Sequence, residues 1–203
     1  MPRLAGQIDV AKSEAILAAA GDAIYEEGLG VSVAAIARRA GVSKQTVYNH
    51  YGCKADLVRA LVEKRVELIT APLDVADAAD FPQQALEGYA RVLLQTSSDP
   101  RSLALMRLII ESAGANPDLA RRVFEAGPAG SRAKLAWFLE REARAGRIAV
   151  DHPGQAADFF AGMVVSHHQL AGLLGLPVGL PAARIERIAK EAARRFMKAY
   201  APG

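Results

Sequence analysis

The sequence predicts an all-α protein, and three observations support this fold class. Alanine, leucine, arginine and glutamate recur at helical spacing, whereas the alternating apolar and polar runs of half-buried strands are missing. The chain has 203 residues, of which 51% are hydrophobic and 23% charged, as in globular proteins large enough to bury a core. Prolines stand near several helix starts and glycines near helix ends, the positions that each residue favours.

Four helices are predicted in the N-terminal third of the chain. Apolar residues recur along one face of the first helix, and the segment Gly28-Leu29-Gly30 ends it because glycine adopts positive φ readily. Ser32 and Ser43 are the expected N-caps of the two short helices that follow. The four predicted ranges are Val10–Glu27, 33–40, Lys44–Tyr51 and Lys54–Thr70.

Six further helices are predicted after an interruption at Pro72 and residues 74–82, which we interpret as a link. Gly146 and Gly175 are the expected stops of two of these helices. The six ranges are 82–96, 100–112, 117–125, 131–145, 155–174 and 181–200. We therefore divide the chain into residues 1–53 and residues 54–203, the second part beginning with the long connecting helix 54–70.

Composition disfavours several classes of protein. Cys53 is the single cysteine, so neither a disulfide framework nor a cysteine-rich metal site is expected. No apolar run approaches the roughly 18 residues of a membrane span, and the N-terminal Met-Pro-Arg-Leu-Ala-Gly lacks the apolar stretch of a signal peptide. Ser-His-Asp sets, phosphate loops and metal-ligand clusters are missing too, and the adjacent His167 and His168 point apart on a helix. We expect a cytoplasmic protein that is not an enzyme, with no cofactor, no metal and no membrane partner.

The segment from Ser32 to Leu57 has the spacing of a helix-turn-helix unit. Ala37 is small enough for two helices to cross closely, Gly41 supplies a left-handed turn, and Val47 packs the second helix onto the first. The outward positions of the second helix carry hydrogen-bonding side chains suited to base edges and phosphates in a major groove. These positions are Lys44, Gln45, Thr46, Tyr48, Asn49 and His50.

The alternative is an αα-hairpin whose polar face is merely hydrated. Against it, the residues from Ala34 to Arg59 include five cations and a single acid, Asp56, the electrostatic footprint of a small DNA-reading module. The helix caps, the basic excess and the polar face together favour DNA binding.

The run from Ile36 to Val58, IARRAGVSKQTVYNHYGCKADLV, resembles the helix-turn-helix signature of TetR-family repressors. The resemblance implies that the second helix of the motif faces DNA and that Tyr48 and Lys54 contact phosphates. It also implies that the helix beginning at Lys54 transmits effector binding to the DNA-binding part. The residues assigned to DNA are Ser43, Lys44, Gln45, Thr46, Tyr48, Asn49, His50 and Lys54.

Two positions depart from the family pattern. Cys53 stands where relatives carry a serine or asparagine cap, which is a better capping group. A cysteine at a helix N-terminus beside Lys54 is either a tolerated substitution or a thiol that reacts with oxidants. Ala34 stands where some relatives place a polar side chain that contacts DNA, so no contact is expected from that position.

The C-terminal part resembles the corresponding domain of AefR-like regulators, through features such as Asn116-Pro117, Gly127-Pro128 and Gly146-Arg147-Ile148. The resemblance implies a C-terminal helical domain that binds a ligand among its middle helices and dimerises through its last two. Bulky side chains of low polarity suit a small apolar or aromatic effector, although the same spacing is typical of an ordinary core. The candidate pocket residues are Tyr89, Leu93, Met106, Ile110, Phe124, Trp137, Phe138, Phe160, Met163 and His167.

The last two predicted helices, 155–174 and 181–200, are the expected dimer face. Gly162, Ser166 and Gly172 are small enough for close helix approach, and an apolar stripe runs along the last helix. That stripe consists of Ile185, Ile188, Ala189, Ala192, Phe196 and Tyr200. The functional hypothesis is a homodimeric repressor that binds a near-palindromic operator and is released by its effector. The alternatives are a DNA-binding activator or architectural protein without a ligand, and a helical enzyme.

Overall fold

The computed structural model describes residues 10–75, 78 and 81–203, and this part of the chain is helical without a strand. The N-terminal segment considered for a signal peptide and part of the predicted link at 74–82 lie outside the described residues. The helices are α1 (Val10–Glu27), α2 (Val33–Arg39), α3 (Lys44–Tyr51), α4 (Lys54–Thr70), α5 (Pro82–Ser98), α6 (Pro100–Ser112), α7 (Pro117–Phe124), α8 (Gly130–Arg144), α9 (Pro153–Val165), α10 (His168–Leu173) and α11 (Ala182–Ala199).

Most predicted helix ends agree with the structure to within two residues, but the predicted helix 155–174 is wrong as a single element. The chain breaks between α9 and α10 at Ser166, whose φ of 47° lies in the left-handed region. The break turns α10 toward α6, where a Cβ on Gly172 would lie 2.5 Å from Leu103 Cδ1. An apolar periodicity that continues across residues 160–170 cannot reveal such a change of direction.

Two short irregular segments join the helices. A 3₁₀ turn, Ala71–Leu73, extends the end of α4. A π-helical turn, Glu125–Ala129, carries α7 directly into α8 and contains Pro128, which has no backbone N–H to donate within a helix. Gly127 of this turn lies close to α4, because a Cβ there would be 2.9 Å from Val62 Cγ1.

The buried apolar residues form two clusters, which we call the head core and the body core. The head core unites α1–α4 with residues of α6 and α7, and consists of Ile16, Leu17, Ala19, Ala20, Ala23, Ile24, Val31, Val33, Ile36, Ala37, Val47, Leu57, Val58, Val62, Leu105, Ile109 and Val123. The body core lies among α5, α8, α9 and α11, and its largest members are Leu86, Tyr89, Leu94, Leu135, Phe138, Phe160 and Phe196. Removal of this apolar surface from water is the main driving force for folding.

The connecting helix α4 belongs to both cores. Leu57, Val58 and Val62 at its N-terminal end lie in the head core, whereas Ile69 near its C-terminal end lies in the body core. The helices α1–α3, which we call the head, therefore do not pack as an isolated unit. They rest on α4 and α6, and α7 packs in turn against these two helices.

The predicted dimer stripe on the last helix requires a correction. Ile185, Ala189, Ala192 and Phe196 are buried in the body core, within their own chain. The stripe therefore faces α5 and α9, and α11 presents mainly charged side chains to solvent. An amphipathic pattern reports that one face is buried, but not whether the covering helix belongs to the same chain.

Candidate nucleic-acid interface and central cavity

The helix-turn-helix forms where the sequence predicts it. The Ser32 hydroxyl accepts a hydrogen bond from the Ala35 N–H at 3.1 Å, and the Ser43 hydroxyl accepts one from the Thr46 N–H at 3.0 Å. Gly41 turns the chain between α2 and α3 with a φ of 64°, a conformation that other residues rarely adopt. The two caps and the turn determine where α2 ends and α3 begins.

Helix α3 is held against the rest of the head by one apolar and one polar contact. Val47 is 2% exposed within the head core, and the Tyr51 hydroxyl lies 2.7 Å from the Ser13 hydroxyl on α1. Because these two residues face inward, the opposite face of α3 is turned toward solvent.

Seven of the eight residues assigned to DNA lie together on this solvent face, which we call the α3 surface. Lys44, Gln45, Tyr48 and Asn49 are exposed, and Tyr48 lies beneath the Lys44 ammonium, 5.6 Å from Nζ to the ring centre. The Gln45 amide donates to Asn49 Oδ1 at 2.8 Å. The surface consists of Ser43, Lys44, Gln45, Thr46, Tyr48, Asn49 and His50.

The structure places Lys54, the eighth residue, in a different environment. Its Nζ donates to the backbone carbonyls of Leu29 and Val31, the second at 2.5 Å, and burial lowers the pKa of this ammonium. Lys54 thereby ties the start of α4 to the loop between α1 and α2. This internal role was not part of the sequence prediction, which considered only phosphate contact.

Part of the basic excess seen in the sequence is balanced by carboxylates of α1 and α4. Arg39 pairs with Glu26 and Glu27 of α1 at 2.7 Å each, and Arg59 lies in salt-bridge contact with carboxylates of its own helix. Among the described residues, Arg38 and Lys44 form no ion pair. The local positive charge available to a phosphate backbone is therefore smaller than the count of cations indicates.

The start of α4 contains a polar cluster around Asp56. The Cys53 thiol caps the helix, accepting from the Asp56 N–H at 3.4 Å and donating to Asp56 Oδ2 at 3.0 Å. Arg122 on α7 approaches Asp56 Oδ1 at 3.0 Å and also pairs with Asp118. The Cys53 thiol, and then Arg122 and Arg59, lower the pKa of Asp56. The Arg122 contact joins α7 to the head end of α4, across a separation that no local pattern reveals.

A cavity of about 140 Å³, the central cavity, lies beneath the head. Seven helices, α4–α10, and the π-helical turn contribute to its wall, which is mostly apolar. An apolar cavity of this size accommodates about one aromatic ring. The lining residues are Val62, Arg65, Val66, Ile69, Tyr89, Leu93, Thr96, Ser97, Ser102, Leu105, Met106, Val123, Gly127, Pro128, Ser131, Arg132, Ala161, Val165 and Gln169.

Three of the ten predicted pocket residues, Tyr89, Leu93 and Met106, line this cavity. Phe138 and Phe160 are instead buried in the body core. The other five, which the sequence pattern placed inside, are surface residues because their helices turn a different face inward. These are Ile110, Phe124, Trp137, Met163 and His167.

The lining residues that the sequence analysis missed are mainly those of α4 and the small polar ones. Arg65 and Val66 on α4 look like ordinary residues of an amphipathic helix, so no local signal marks them. Ser131 hydrogen-bonds the Tyr89 hydroxyl at 2.9 Å across the cavity wall, and burial raises the pKa of that tyrosine. Tyr89 on α5 and Ser131 on α8 are 42 positions apart, so only the tertiary structure brings this pair together.

Neither a metal centre nor a membrane segment is found within the described part of the chain. No group of three or more histidine, cysteine, aspartate or glutamate side chains in residues 10–75, 78 and 81–203 is arranged to hold a metal ion. His168 is buried at the start of α10, and His167, the residue before it, is exposed. The expectation that the two side chains point apart on one helix is wrong, because the break at Ser166 leaves their ring centres 4.3 Å apart. Over the same ranges, no helix combines the length and the apolar character needed to cross a bilayer.

Two family models match the chain. Residues 16–61 match the bacterial regulatory proteins of the tetR family, and residues 84–202 match the C-terminal domain of AefR-like transcriptional repressors. The HTH-type transcriptional regulator AlkX of Mycobacterium tuberculosis (strain ATCC 25618 / H37Rv) is 28% identical over 97 residues, which are 46% of this chain and 43% of that protein. The match thus spans less than half of this curated relative.

Solved structures resemble the chain over nearly its whole length. A TetR-family transcriptional regulator from Mesorhizobium loti MAFF303099 has a TM-score of 0.79 and 28% identity, covering 96% of this chain and 99% of that one. The flavonoid-responsive regulator FrrA has a TM-score of 0.70 and 32% identity, with 94% and 97% covered. A TetR transcriptional regulator from Agrobacterium tumefaciens has a TM-score of 0.74 and 26% identity, with 94% and 95% covered.

Proposed function

The chain belongs to the TetR family of transcriptional regulators, with an AefR-like C-terminal domain, and on that premise we propose that it is a homodimeric repressor released from its operator by a small apolar or aromatic effector. Regulators of this family bind DNA and are not enzymes. Repression, dimerisation, effector release and a cytoplasmic location are the parts that we propose.

The observation that carries the proposal is the α3 surface. Its amide, hydroxyl, imidazole and ammonium groups lie on one short helix whose other face is buried, as in a helix that enters a major groove. The hydrogen bond from the Gln45 amide to Asn49 Oδ1 holds two amides side by side. Such amides can exchange this bond for a bidentate contact with an adenine edge.

Selection of genomic DNA fragments tests this function. We expect the purified protein to enrich a short near-palindrome at about 150 mM salt, where nonspecific phosphate binding is weakened. Tyr48→Ala removes an exposed aromatic residue of the α3 surface and is expected to weaken operator binding at least about tenfold. Tyr25→Ala is the matched control, because Tyr25 is 49% exposed on α1 and lies against Arg101 of α6.

Comparison of the two variants tests whether α3 is the helix that reads DNA. Loss of the enriched sequence with Tyr48→Ala, but not with Tyr25→Ala, supports the assignment of α3 as the DNA-reading helix. Equal enrichment by wild type and Tyr48→Ala contradicts it, and failure of the wild-type protein to enrich any sequence contradicts the proposed function itself.

Effector control is proposed from the position of the central cavity between the two cores. Val62, Leu105 and Val123 of the head core form one part of its wall, and Ile69 and Tyr89 of the body core form another. A ligand in the cavity contacts both, so its binding favours whichever arrangement of α4 fits it best. The similarity to a flavonoid-responsive regulator is consistent with an aromatic effector.

For dimerisation we propose the outward face of α9. Phe159 and Met163 are 58% and 39% exposed, and a Cβ on Gly162 would meet no atom within 4 Å, so the face is apolar and open. A second copy related by twofold symmetry covers such a face on both chains, and the charged outer side of α11 then forms its polar rim.

Light scattering after size exclusion tests this face. Phe159→Asp is expected to convert the dimer to a monomer, because two carboxylates would be buried at the symmetry-related contact. Leu68→Asp is the matched control. Leu68 is also an exposed apolar residue, at 61%, but it lies on α4 and not on α9. A dimer that persists in Phe159→Asp, or that is lost equally in Leu68→Asp, contradicts the assignment.

A further inference from the structure

The central cavity is lined by a cationic side chain that forms no ion pair within the described part of the chain. Arg65 of α4 is partly buried and lines the cavity, and no carboxylate of the described residues lies within salt-bridge distance of its guanidinium. Burial lowers the pKa of Arg65, while the more distant Asp99 acts in the opposite direction. The Asp99 carboxylate itself accepts from the Ser102 N–H at 2.9 Å as the N-cap of α6. Arg65 thus remains a partly desolvated cation that forms no ion pair with any described residue.

The second arginine of the cavity shows the contrast. Arg132 of α8 pairs with Asp158 at 3.2 Å and donates to the Pro128 carbonyl at 3.1 Å. Its charge is therefore balanced from within the chain. Since an unpaired buried charge is unfavourable, the difference between the two arginines indicates that a group from outside completes the environment of Arg65.

The rest of the cavity wall indicates the chemistry of the molecule that carries the group bound by Arg65. Val66, Ile69, Leu93, Leu105 and Met106 supply apolar surface, which suits a hydrocarbon or aromatic body. The lining also contains hydroxyl groups that can hydrogen-bond a polar substituent, and they come from Thr96, Ser97 and Ser102. A guanidinium binds a carboxylate through two parallel hydrogen bonds, a stronger and more directional contact than to a neutral group.

We propose that the effector is a small organic carboxylate whose apolar body fills the central cavity and whose carboxylate pairs with Arg65. The proposal rests on the effector control described above and specifies its chemistry. Arg65 lies on α4 between Val62, a member of the head core, and Ile69, a member of the body core. A carboxylate held by Arg65 therefore acts directly on the helix that joins the two cores.

Thermal shift measurements with matched acid and amide pairs test the proposal. The probes are benzoate, phenylacetate, 4-hydroxybenzoate, hexanoate and octanoate, each beside its carboxamide at the same millimolar concentration. We expect at least one acid to raise the Tm by roughly 5–10 °C near saturation. Its amide should bind at least about tenfold more weakly, because it cannot form the charged pair with Arg65.

Three arginine variants identify the group that recognises the acid. Arg65→Met should lose at least about tenfold in affinity for the acid, while its ligand-free Tm stays equal to that of the wild type or rises because an unpaired cation has been removed. Arg65→Lys should retain part of the preference for the acid. Arg132→Met, the control from the same cavity, should keep the preference.

Binding of the selected operator fragment, measured in the same preparations, separates this inference from the proposed function. An acid that stabilises the protein and releases it from the fragment supports the proposal. Stabilisation by amides as strong as by acids, no stabilisation by any acid, or acid binding without release overturns it while leaving DNA regulation intact. Loss of acid preference in Arg132→Met but not in Arg65→Met also overturns it. If the wild-type protein binds no DNA fragment, the result contradicts the proposed function and not the chemistry of the effector.

Discussion

The α3 surface takes its side chains from one short helix, whereas the central cavity takes its lining from seven helices. The first needs a cap, a turn, one buried valine and the contact of Tyr51 with Ser13 to present its groups. The second depends on how every helix of the body is rotated about its axis. A binding surface on a single element is therefore encoded mainly by local sequence, while a cavity between elements is a property of packing.

The two cores differ in a related way. The head core closes only with the help of Leu105, Ile109 and Val123 from α6 and α7, whereas the body core is formed mainly by helices of the C-terminal part. The DNA-binding head therefore rests on helices that also line the cavity. This dependence is the physical basis on which a ligand can influence the head at all.

The largest expected effect is that of Val47→Asp in the head core. Val47 is 2% exposed, and a carboxylate at this position is expected to reduce the free energy of unfolding by on the order of 3–5 kcal/mol. Calorimetry should show a lower Tm, and operator binding should be lost because α3 no longer packs on α2.

Phe160→Ala is the matched change in the body core, where Phe160 is 0% exposed. A similar loss of about 3–5 kcal/mol is expected, but operator binding should survive at low temperature because the α3 surface is untouched. If both variants retain operator binding, or both lose it while folded, the two cores are not distinct in the way described.

A smaller effect is expected for Gly127→Ala at the junction of the two cores. The new Cβ would lie 2.9 Å from Val62 Cγ1, and Val62 is β-branched and buried, so one of the two segments must move. The expected destabilisation is about 1–3 kcal/mol by denaturant unfolding.

Gly154→Ala is the control for that substitution. A Cβ at Gly154 on α9 would meet no atom within 4 Å, so alanine there should be neutral or stabilising by up to about 1 kcal/mol. Equal effects of the two glycine substitutions would show that the approach of the π-helical turn to α4 does not matter for stability.

Asp56→Asn is expected to have a still smaller effect, and one that depends on pH. The pKa of Asp56 is lowered below its ordinary 3.8 by Cys53, Arg122 and Arg59, so its stabilising contribution is present above that value and is lost as the pH falls through the lower folded-state pKa. The variant should therefore melt slightly below the wild type at neutral pH, with the difference vanishing in acid. A difference in Tm that stays the same from neutral pH into acid would contradict this account of Asp56.

The smallest effect is expected from Glu191 on α11. Hydrogen bonds from Arg194 and then Arg195 lower its pKa from 4.5 to about 2, so its contribution to stability is present above 4.5 and disappears as the pH falls toward about 2. Because the group is exposed, salt should screen the contribution. Titration of the carboxyl carbon by NMR should give a value well below 4.5, and an ordinary value would contradict the pairing.

Local sequence was enough to predict the head and the ends of most helices. Gly41 requires a turn, Ser32 and Ser43 cap the helices beyond them, and Val47 marks the buried face of α3. Each of these effects acts over a few residues, so it survives in any tertiary context that keeps the helices. The assignments of Ser43 to His50 to DNA remain predictions, with a geometry that suits them.

The cavity could be anticipated only in part. Tyr89, Leu93 and Met106 belong to its wall, but equally bulky Trp137 and Phe124 lie on the surface. Size and apolarity predict that a side chain prefers to be covered, and they do not state by what. Arg65 gave no signal, because an arginine on an amphipathic helix is ordinarily solvated.

The helical class, the boundaries of most helices and the head with its polar outer face could be predicted from the sequence alone. These features follow from backbone conformation, capping and helical periodicity, which act between residues close along the chain. Three features follow only from the tertiary structure: the stripe on α11 faces α5, Lys54 binds carbonyls of the α1–α2 loop, and Arg65 lines the cavity without an ion pair to any of the residues described. The reason is that these outcomes depend on contacts between residues distant in sequence, and the same amphipathic pattern is compatible with more than one covering neighbour.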